Sequence, residues 1–213
     1  MTGAASSFGA ILLAGGRASR VGGAAKPLFD VDGRTLLATA VTAATDAGAR
    51  PITIVAPVLD PALDVDWVRE DPPFGGPAAA IVTALASWAG QPSAANGPEW
   101  TILLACDLPS ARAAVRRLVA DIVLLPSDTD GLCLGDASSR PQWLTGVYRT
   151  SALRAAASAL PDAGRDGAVR DLMADLAIAV VPAPDDLTRD VDTWEDLEEA
   201  RTRAAARQAE ESS

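Results

Sequence analysis

The stretch "ILLAGGRASRVGGAAKPL", residues 11–28, is an apolar run that stops at two glycines and gives way to a small, basic, glycine-rich segment. A short apolar run bounded in this way reads as a buried strand followed by a loop. Working outward, similar β-rich runs recur at residues 9–13 (the start of this stretch), 51–56, 100–105, 131–134, 143–148 and 177–181. Between them lie longer Ala-rich amphipathic stretches, predicted as helices over 36–47, 76–89, 111–120, 151–160 and 168–176, with a last helix from about Thr193 into the Arg/Ala/Glu-rich tail. This alternation predicts an α/β fold, a three-layer α/β/α sandwich in which crossover helices join the strands of a mostly parallel sheet.

At 213 residues the chain is read as one domain, because chains of roughly 100 to 200 residues bury one core and a single α/β unit can run somewhat longer. The core is expected over about residues 9–200, with 201–213 a solvated helix end that frays into disorder. Three loops are rich in Pro and Gly, at 72–77, 90–98 and 182–186. Only the middle one, "GQPSAANGP", reads as filler, since it carries neither charge nor periodicity.

With 28 acidic against 18 basic residues the net charge is −10. That balance argues against nucleic acid as a partner, since such binding needs a basic face that releases counterions from phosphate. The start, "MTGAASSFGAILLAGG", has no positive leading segment, and its apolar run falls short of the roughly 7 to 15 residues of a signal core. No segment approaches the ~20 apolar residues needed to span a bilayer, so a membrane partner is not expected and the location is read as cytoplasmic. Cys106 and Cys133 fit no metal-ligand spacing and read as buried thiols. The chain contains no histidine, which removes Ser-His-Asp and Cys-His nucleophile systems and zinc sites built on imidazole. Chemistry must then rest on Asp, Glu, Lys, Arg and backbone groups, which points toward phosphate and magnesium.

Four groups of residues carry that chemistry. The opening loop supplies Gly15, Gly16, Gly22 and Gly23 together with Arg17, Arg20 and Lys26. Glycines let a loop fold closely around a ligand with N–H groups inward, and the cations neutralise a polyanion, so a polyphosphate is the expected guest. The spacing is neither that of a P-loop nor that of a dinucleotide fingerprint. In "ILLACDLP", residues 102–109, a strand ends in Asp107, where open α/β sheets place their ligands and a carboxylate can hold a hard cation. In "DVDTWEDLEEA", residues 190–200, Thr193 and Asp196 fit a capping box, while Asp190 and Asp192 are left over as candidates to complete a magnesium site. In "REDPPFGGPAAAI", residues 69–81, a stiff loop leads into a helix start at Pro77, and Asp71 is placed to accept from a ring N–H or from ribose hydroxyls. Among five scattered tryptophans only Trp143 is expected to line a site, and Arg140 and Arg149 around its strand are candidates for docking a second anionic substrate.

Taken in order, "LLAGGRASRVGGAAKPL", "REDPPFGGP", "ACDLP" and "DVDTWEDL" resemble the nucleotidyltransferase superfamily, and within it the molybdenum cofactor guanylyltransferases, over about residues 9–200. The resemblance implies a Rossmann-like sandwich of the nucleotide-diphospho-sugar transferase type. It also implies an enzyme that uses GTP and Mg2+ to attach GMP to the terminal phosphate of molybdopterin, releasing pyrophosphate. By position, Leu13, Ala14, Gly15, Gly16 and Arg17 would hold the nucleotide, with Asp71 contacting it as well. Lys26 would lie on the phosphates, and Asp107 would bind both GTP and metal. Arg20, Lys26 and Asp107 are the expected catalytic residues, in a monomer or weak homo-oligomer. The chain departs from the family pattern at three places. It has "VAPV" at 55–58 where the family offers an Asn, "GPAAA" in place of "GPLAG", and Asp190, Asp192 and Trp194 in place of "NxNTPE". Paired aspartates also occur in the cytidylyltransferase relatives, so a cytidylyltransferase, an enzyme acting on another small phosphate and a silent nucleotide-binding module all stay open.

Overall fold

The computed structural model describes residues 6–15, 24–90 and 97–211. Chain order runs β1 (Phe8–Leu13), a small hairpin of β2 (Asp30–Val31) and β3 (Arg34–Thr35), α1 (Leu36–Asp46), β4 (Ile52–Val55), β5 (Asp66–Val68) and α2 (Gly76–Ser87). It continues through β6 (Trp100–Ala105), α3 (Ala111–Asp121), β7 (Gly131–Gly135), β8 (Pro141–Arg149), α4 (Thr150–Ala159), α5 (Val169–Met173), β9 (Ile178–Pro182), α6 (Asp185–Thr188) and α7 (Trp194–Glu211). Seven of the strands form one sheet in the order β5-β4-β1-β6-β8-β7-β9. All are parallel except β8, which pairs antiparallel with both β6 and β7.

The opening run is apolar at every position because both faces of β1 are covered. Ala10 and Leu12 pack on one side with Leu37, Ala40 and Ala44 of α1 and Ala114 and Leu118 of α3. Ile11 faces the other side with Ile81, Ala84 and Leu85 of α2 and Leu153 of α4. The period-2 alternation of a strand thus divides one apolar run between two cores, as parallel sheets with helices on both faces require. The result is a Rossmann-like three-layer α/β/α sandwich. Among the described residues, no helix is long and apolar enough to cross a membrane.

Local chemistry sets the helix starts. Thr35 caps α1 by accepting from Ala38 N at 3.1 Å. The capping box at α7 is formed, with Asp196 N donating to Thr193 Oγ1 at 3.1 Å and Thr193 N donating to Asp196 Oδ2 at 2.8 Å. Asp196 is thereby spent on the cap, and its carboxyl is held below the usual range mainly by the Thr193 hydroxyl.

The expected last helix runs through the tail, with residues 205–210 exposed; rather than fraying, α7 stays helical to Glu211, and Leu197, Ala200 and Ala204 bury a stripe against Phe29, Val31 and Val191. Arg201 Nε also donates to Asp30 O at 3.0 Å. Three elements go beyond the sequence-based expectation: α6, the three-residue β5, and the β2–β3 hairpin. The hairpin carries its own signal in Asp32 and Gly33, whose φ of 61° and 72° suit a two-residue turn closed by a left-handed Asp-Gly pair.

Candidate active site

Parallel strands bring the ends of β1, β4 and β6 to one edge of the sheet, where open α/β folds place their sites. Cys106 N donates to Leu13 O at 3.0 Å, so the segments that follow β1 and β6 leave the sheet side by side. A cavity of about 640 Å³ opens there. Its walls include Leu13, Ala14 and Gly15 after β1, Lys26 and Pro27, Val55 to Pro57 after β4, and Asp107 after β6. Gly15 sits close to the neighbouring strand, where an added Cβ would lie 3.4 Å from Val55 O. The start of α2 closes the far wall through Gly76 and Pro77. Gly76 has φ 91°, a conformation that favours glycine, and this turn is held by Asp166 N donating to Gly75 O at 2.7 Å.

At the cavity's end three carboxylates converge. Oxygens of Asp107, Asp190 and Asp192 all lie within 4.8 Å of one another. The link between them is Val191, which is buried against the α7 cluster and whose N donates to Asp107 O at 2.9 Å. With Val191 turned inward, the extended chain directs both flanking aspartates to the opposite side, toward Asp107. Lys26, presented by a short 3-10 turn over Lys26–Leu28, forms an ion pair with Asp192.

The electrostatics follow from this crowding. Burial and the neighbouring Asp190 push the Asp107 carboxyl up to about 6, with the Lys26 ammonium pulling in the opposite direction. Asp190 is likewise raised, by burial and then by Asp192. Clustered carboxylates that repel one another gain from a shared cation. The donor set is entirely oxygen and its spread fits one small divalent ion, so the three residues suit Mg2+ or Mn2+, which favour carboxylate, water and phosphate oxygens.

The sequence-derived candidates fall into three groups. Leu13, Ala14, Gly15, Lys26, Asp107, Asp190 and Asp192 are brought together. Gly16, Arg17 and Arg20, with Gly22 and Gly23, lie outside the described residues. Asp71 sits on the expected loop but is exposed, and the residues of that loop that line the cavity are Arg69, Glu70, Pro73 and Phe74. Glu70, the neighbour of Asp71, is the acidic residue of that loop in the cavity wall. Phe74, with φ 68° and the Arg69 guanidinium 5.9 Å from its ring centre, also escapes a reading of the sequence, since nothing in "DPPFGG" marks a left-handed Phe.

Trp143 does line a cavity, a second one of about 310 Å³ that shares Ala105, Asp107 and Leu144 with the first. The arginines around β8 do not serve it. Arg149 pairs with Trp100 at the opposite end of the sheet, stacks 4.5 Å from the Trp100 ring centre and donates to Thr129 O at 3.1 Å. Arg140 is exposed in the turn closed by Asp136. The expected docking of a second anion by Arg149 is overturned, because β8 is antiparallel and carries Arg149 away from the site. Both cysteines are free and buried, and burial pushes the Cys106 thiol far up and that of Cys133 up to about 11.

Solved structures repeat this architecture. Rv0371c of Mycobacterium tuberculosis matches with a TM-score of 0.64 at 22% identity, covering 93% of this chain and 99% of that one. A nucleotidyl transferase from Methanothermobacter matches at 0.70 and 19%, covering 94% and 98%. The molybdopterin-guanine dinucleotide biosynthesis protein A of Archaeoglobus fulgidus matches at 0.63 and 16%, covering 92% and 98%. No curated protein sequence matches the chain at a significant level. The model of the MobA-like NTP transferase domain matches residues 10–180, which takes in the glycine-rich loop, the cavity and Asp107. With most of its length accounted for in this way, the chain belongs to the family of MobA-like NTP transferase domains.

Proposed function

We propose that this nucleotidyltransferase transfers GMP from GTP to the terminal phosphate of molybdopterin, releasing pyrophosphate, with Mg2+ as its cofactor. The observation that carries the reading is the meeting of Asp107, Asp190, Asp192 and Lys26 at the end of a cavity of nucleotide size. Likeness to the Archaeoglobus protein supports the acceptor. A manganese complex of the M. tuberculosis relative, which matches with a TM-score of 0.62 at 20% identity, supports a divalent ion.

A phosphate oxygen of the acceptor attacks the α-phosphorus of GTP in line, the bond to the β-phosphate oxygen breaks, and pyrophosphate leaves. No general base is required, since a phosphomonoester is already anionic near neutral pH, in keeping with a chain that contains no histidine. When bound at Asp107 with Asp190 or Asp192, the metal neutralises charge on the reacting phosphate. Gly15 admits the phosphates close to the backbone, and Lys26 with Arg17 and Arg20 takes up the charge of the leaving group. Glu70, which lines the cavity where Asp71 was expected, offers a carboxylate acceptor for the N1–H and 2-amino groups of guanine.

A thermal-shift panel of GTP, CTP, ATP and UTP with Mg2+ tests the base. A ligand that binds only the native state raises stability by RT ln(1 + [L]/Kd), so GTP should give a shift that the other three do not match. A dominant CTP shift would transfer the reading to a cytidylyltransferase. No shift with any nucleotide would favour a silent module.

A further inference from the structure

Lys26 is the only lysine among the 18 basic residues of the chain, and it reaches the site on a turn outside the seven-stranded sheet. That turn, Lys26–Leu28, is closed by Phe29 N donating to Lys26 O at 2.9 Å, and Phe29 O in turn accepts from Leu36 N at 3.0 Å. The Phe29 ring is buried, but in a cluster with Val31, Val191 and Leu197 that is separate from the two cores flanking the sheet. The lysine's turn therefore depends on what holds that third cluster.

One face of α7 does so. Residues 194, 197, 201, 204 and 208 recur at steps of three and four and so share a face of the helix. Along that face Trp194 stacks on Phe29 with ring centres 4.9 Å apart, and Leu197 and Ala204 are buried in the cluster. Arg201 Nε donates to Asp30 O, and Gln208 Nε2 donates to Asp32. The helix thus grips the hairpin that follows the lysine, while the segment leading into the helix carries Asp190 and Asp192. Among these contacts the ring pair lies nearest in the chain to both groups, since Phe29 comes three residues after Lys26 and Trp194 two after Asp192. A helix start does not call for an indole here. Trp194 is the first residue of α7, a position that favours proline and where the pattern "NxNTPE" has proline. Nor is burial a sufficient reason, because the Trp194 side chain stays 53% exposed.

We infer that Trp194 is a positioning residue for Lys26, acting through Phe29: the stacked rings tie the lysine's turn to the segment that carries Asp190 and Asp192. The role rests on the reading of Lys26 as a group that takes up the charge of the leaving pyrophosphate. A lysine ends in a point charge on a flexible four-carbon stem, so its placement is set by the backbone that presents it. Stacked rings fix orientation as well as distance, and a misplacement of about 1 Å at a reacting group can cost about a hundredfold in rate.

Two variants separate the ring from the helix start. Trp194→Pro removes the ring and keeps a residue suited to the first helical position, whereas Trp194→Phe keeps a ring. Transfer from GTP to molybdopterin should fall at least about tenfold in Trp194→Pro and stay within about threefold of wild type in Trp194→Phe. In a Lys26→Ala background, Trp194→Pro should cost less than about twofold more, because the residue it positions is already gone. A second readout needs no turnover. Lys26 carries the only side-chain amine and is 17% exposed, so its acetylation by sulfo-N-hydroxysuccinimide acetate without nucleotide, followed by peptide mass spectrometry, reports how firmly it is held. The rate should rise several-fold in Trp194→Pro and match wild type in Trp194→Phe. Unchanged transfer in Trp194→Pro, an equal loss in both backgrounds, or acetylation indifferent to the ring would overturn the inference. Ring-dependent acetylation in a protein that transfers nothing from any nucleotide would keep the tie between Trp194 and Lys26 and reject the function proposed above.

Discussion

Asp107→Asn should abolish nucleotidyl transfer, by at least about a thousandfold, and yet raise the melting temperature of the metal-free protein at pH 7.5. Both effects come from one placement. Asp107 is the carboxylate after β6 that lines both cavities, and in the proposed reaction its loss would remove the group that aligns metal and α-phosphorus. Its folded pKa of about 6 stands above the ordinary value of 3.8, so the unfolded chain gives up this proton more readily than the folded one. Stability held by the protonated form is therefore fully present below pH 3.8 and is lost as pH rises through 6. At neutral pH the ionised carboxylate costs roughly 3 kcal/mol, since a tenfold change in a proton-binding constant is worth about 1.4 kcal/mol. Asparagine removes that cost while keeping the shape. For a chain of this size a gain of 1 kcal/mol moves the melting point by about 2–4 °C, so a rise of several degrees is expected at pH 7.5, shrinking as pH falls from 6 toward 4. The same proton competes with the metal, so Mn2+ affinity of wild type should drop below pH 6. A variant that melts lower than wild type at pH 7.5, or that keeps its transfer activity, would contradict the assignment.

Lys26→Ala should lower transfer by about a hundred- to a thousandfold, the range seen when one preorganised donor to a developing anion is lost. Here the ammonium has two partners at different stages. It pairs with Asp192 and draws down the pKa of Asp107; in the proposed reaction it turns to the phosphates once nucleotide binds. Removing it leaves three carboxylates with one cation fewer. Affinity for Mn2+ alone should then rise several-fold even as transfer collapses, and the melting point should fall at pH 7.5 and recover toward pH 5 as the carboxyls take up protons. Lys26→Arg, which keeps the charge, should retain part of the activity. Unchanged transfer in Lys26→Ala would remove Lys26 from the machinery, and an unchanged Mn2+ affinity would show that it does not compete for the carboxylates.

Much of this is legible in the residues, and what is not has identifiable causes. The strand Trp100–Ala105 can be read to the residue, because its apolar run ends abruptly at an Asp and a Pro. Asp190 and Asp192 stand out because a capping box accounts for Thr193 and Asp196 and leaves them over. Periodicity, however, carries no direction, so the antiparallel course of β8 is invisible in one dimension and Arg149 is expected at the wrong end of the sheet. A three-residue strand such as β5 is too short to display a period. The choice between Glu70 and Asp71 turns on which side of an edge-strand end each faces, and neighbouring acidic residues look alike in a sequence. The bulge of β8 at 143–145 depends on a register shift between strands, although Gly146 two residues before a buried Tyr148 is a faint sign of close packing.

The most direct measurement is transfer itself. The purified protein is supplied with molybdopterin, Mg2+ and each of GTP, CTP, ATP and UTP in turn, and both pyrophosphate and nucleotide-bearing pterin are scored. The account predicts equal amounts of pyrophosphate and GMP-linked molybdopterin with GTP, and at most a small fraction of that with the other three. Transfer preferring CTP, or none from any nucleotide, would contradict it.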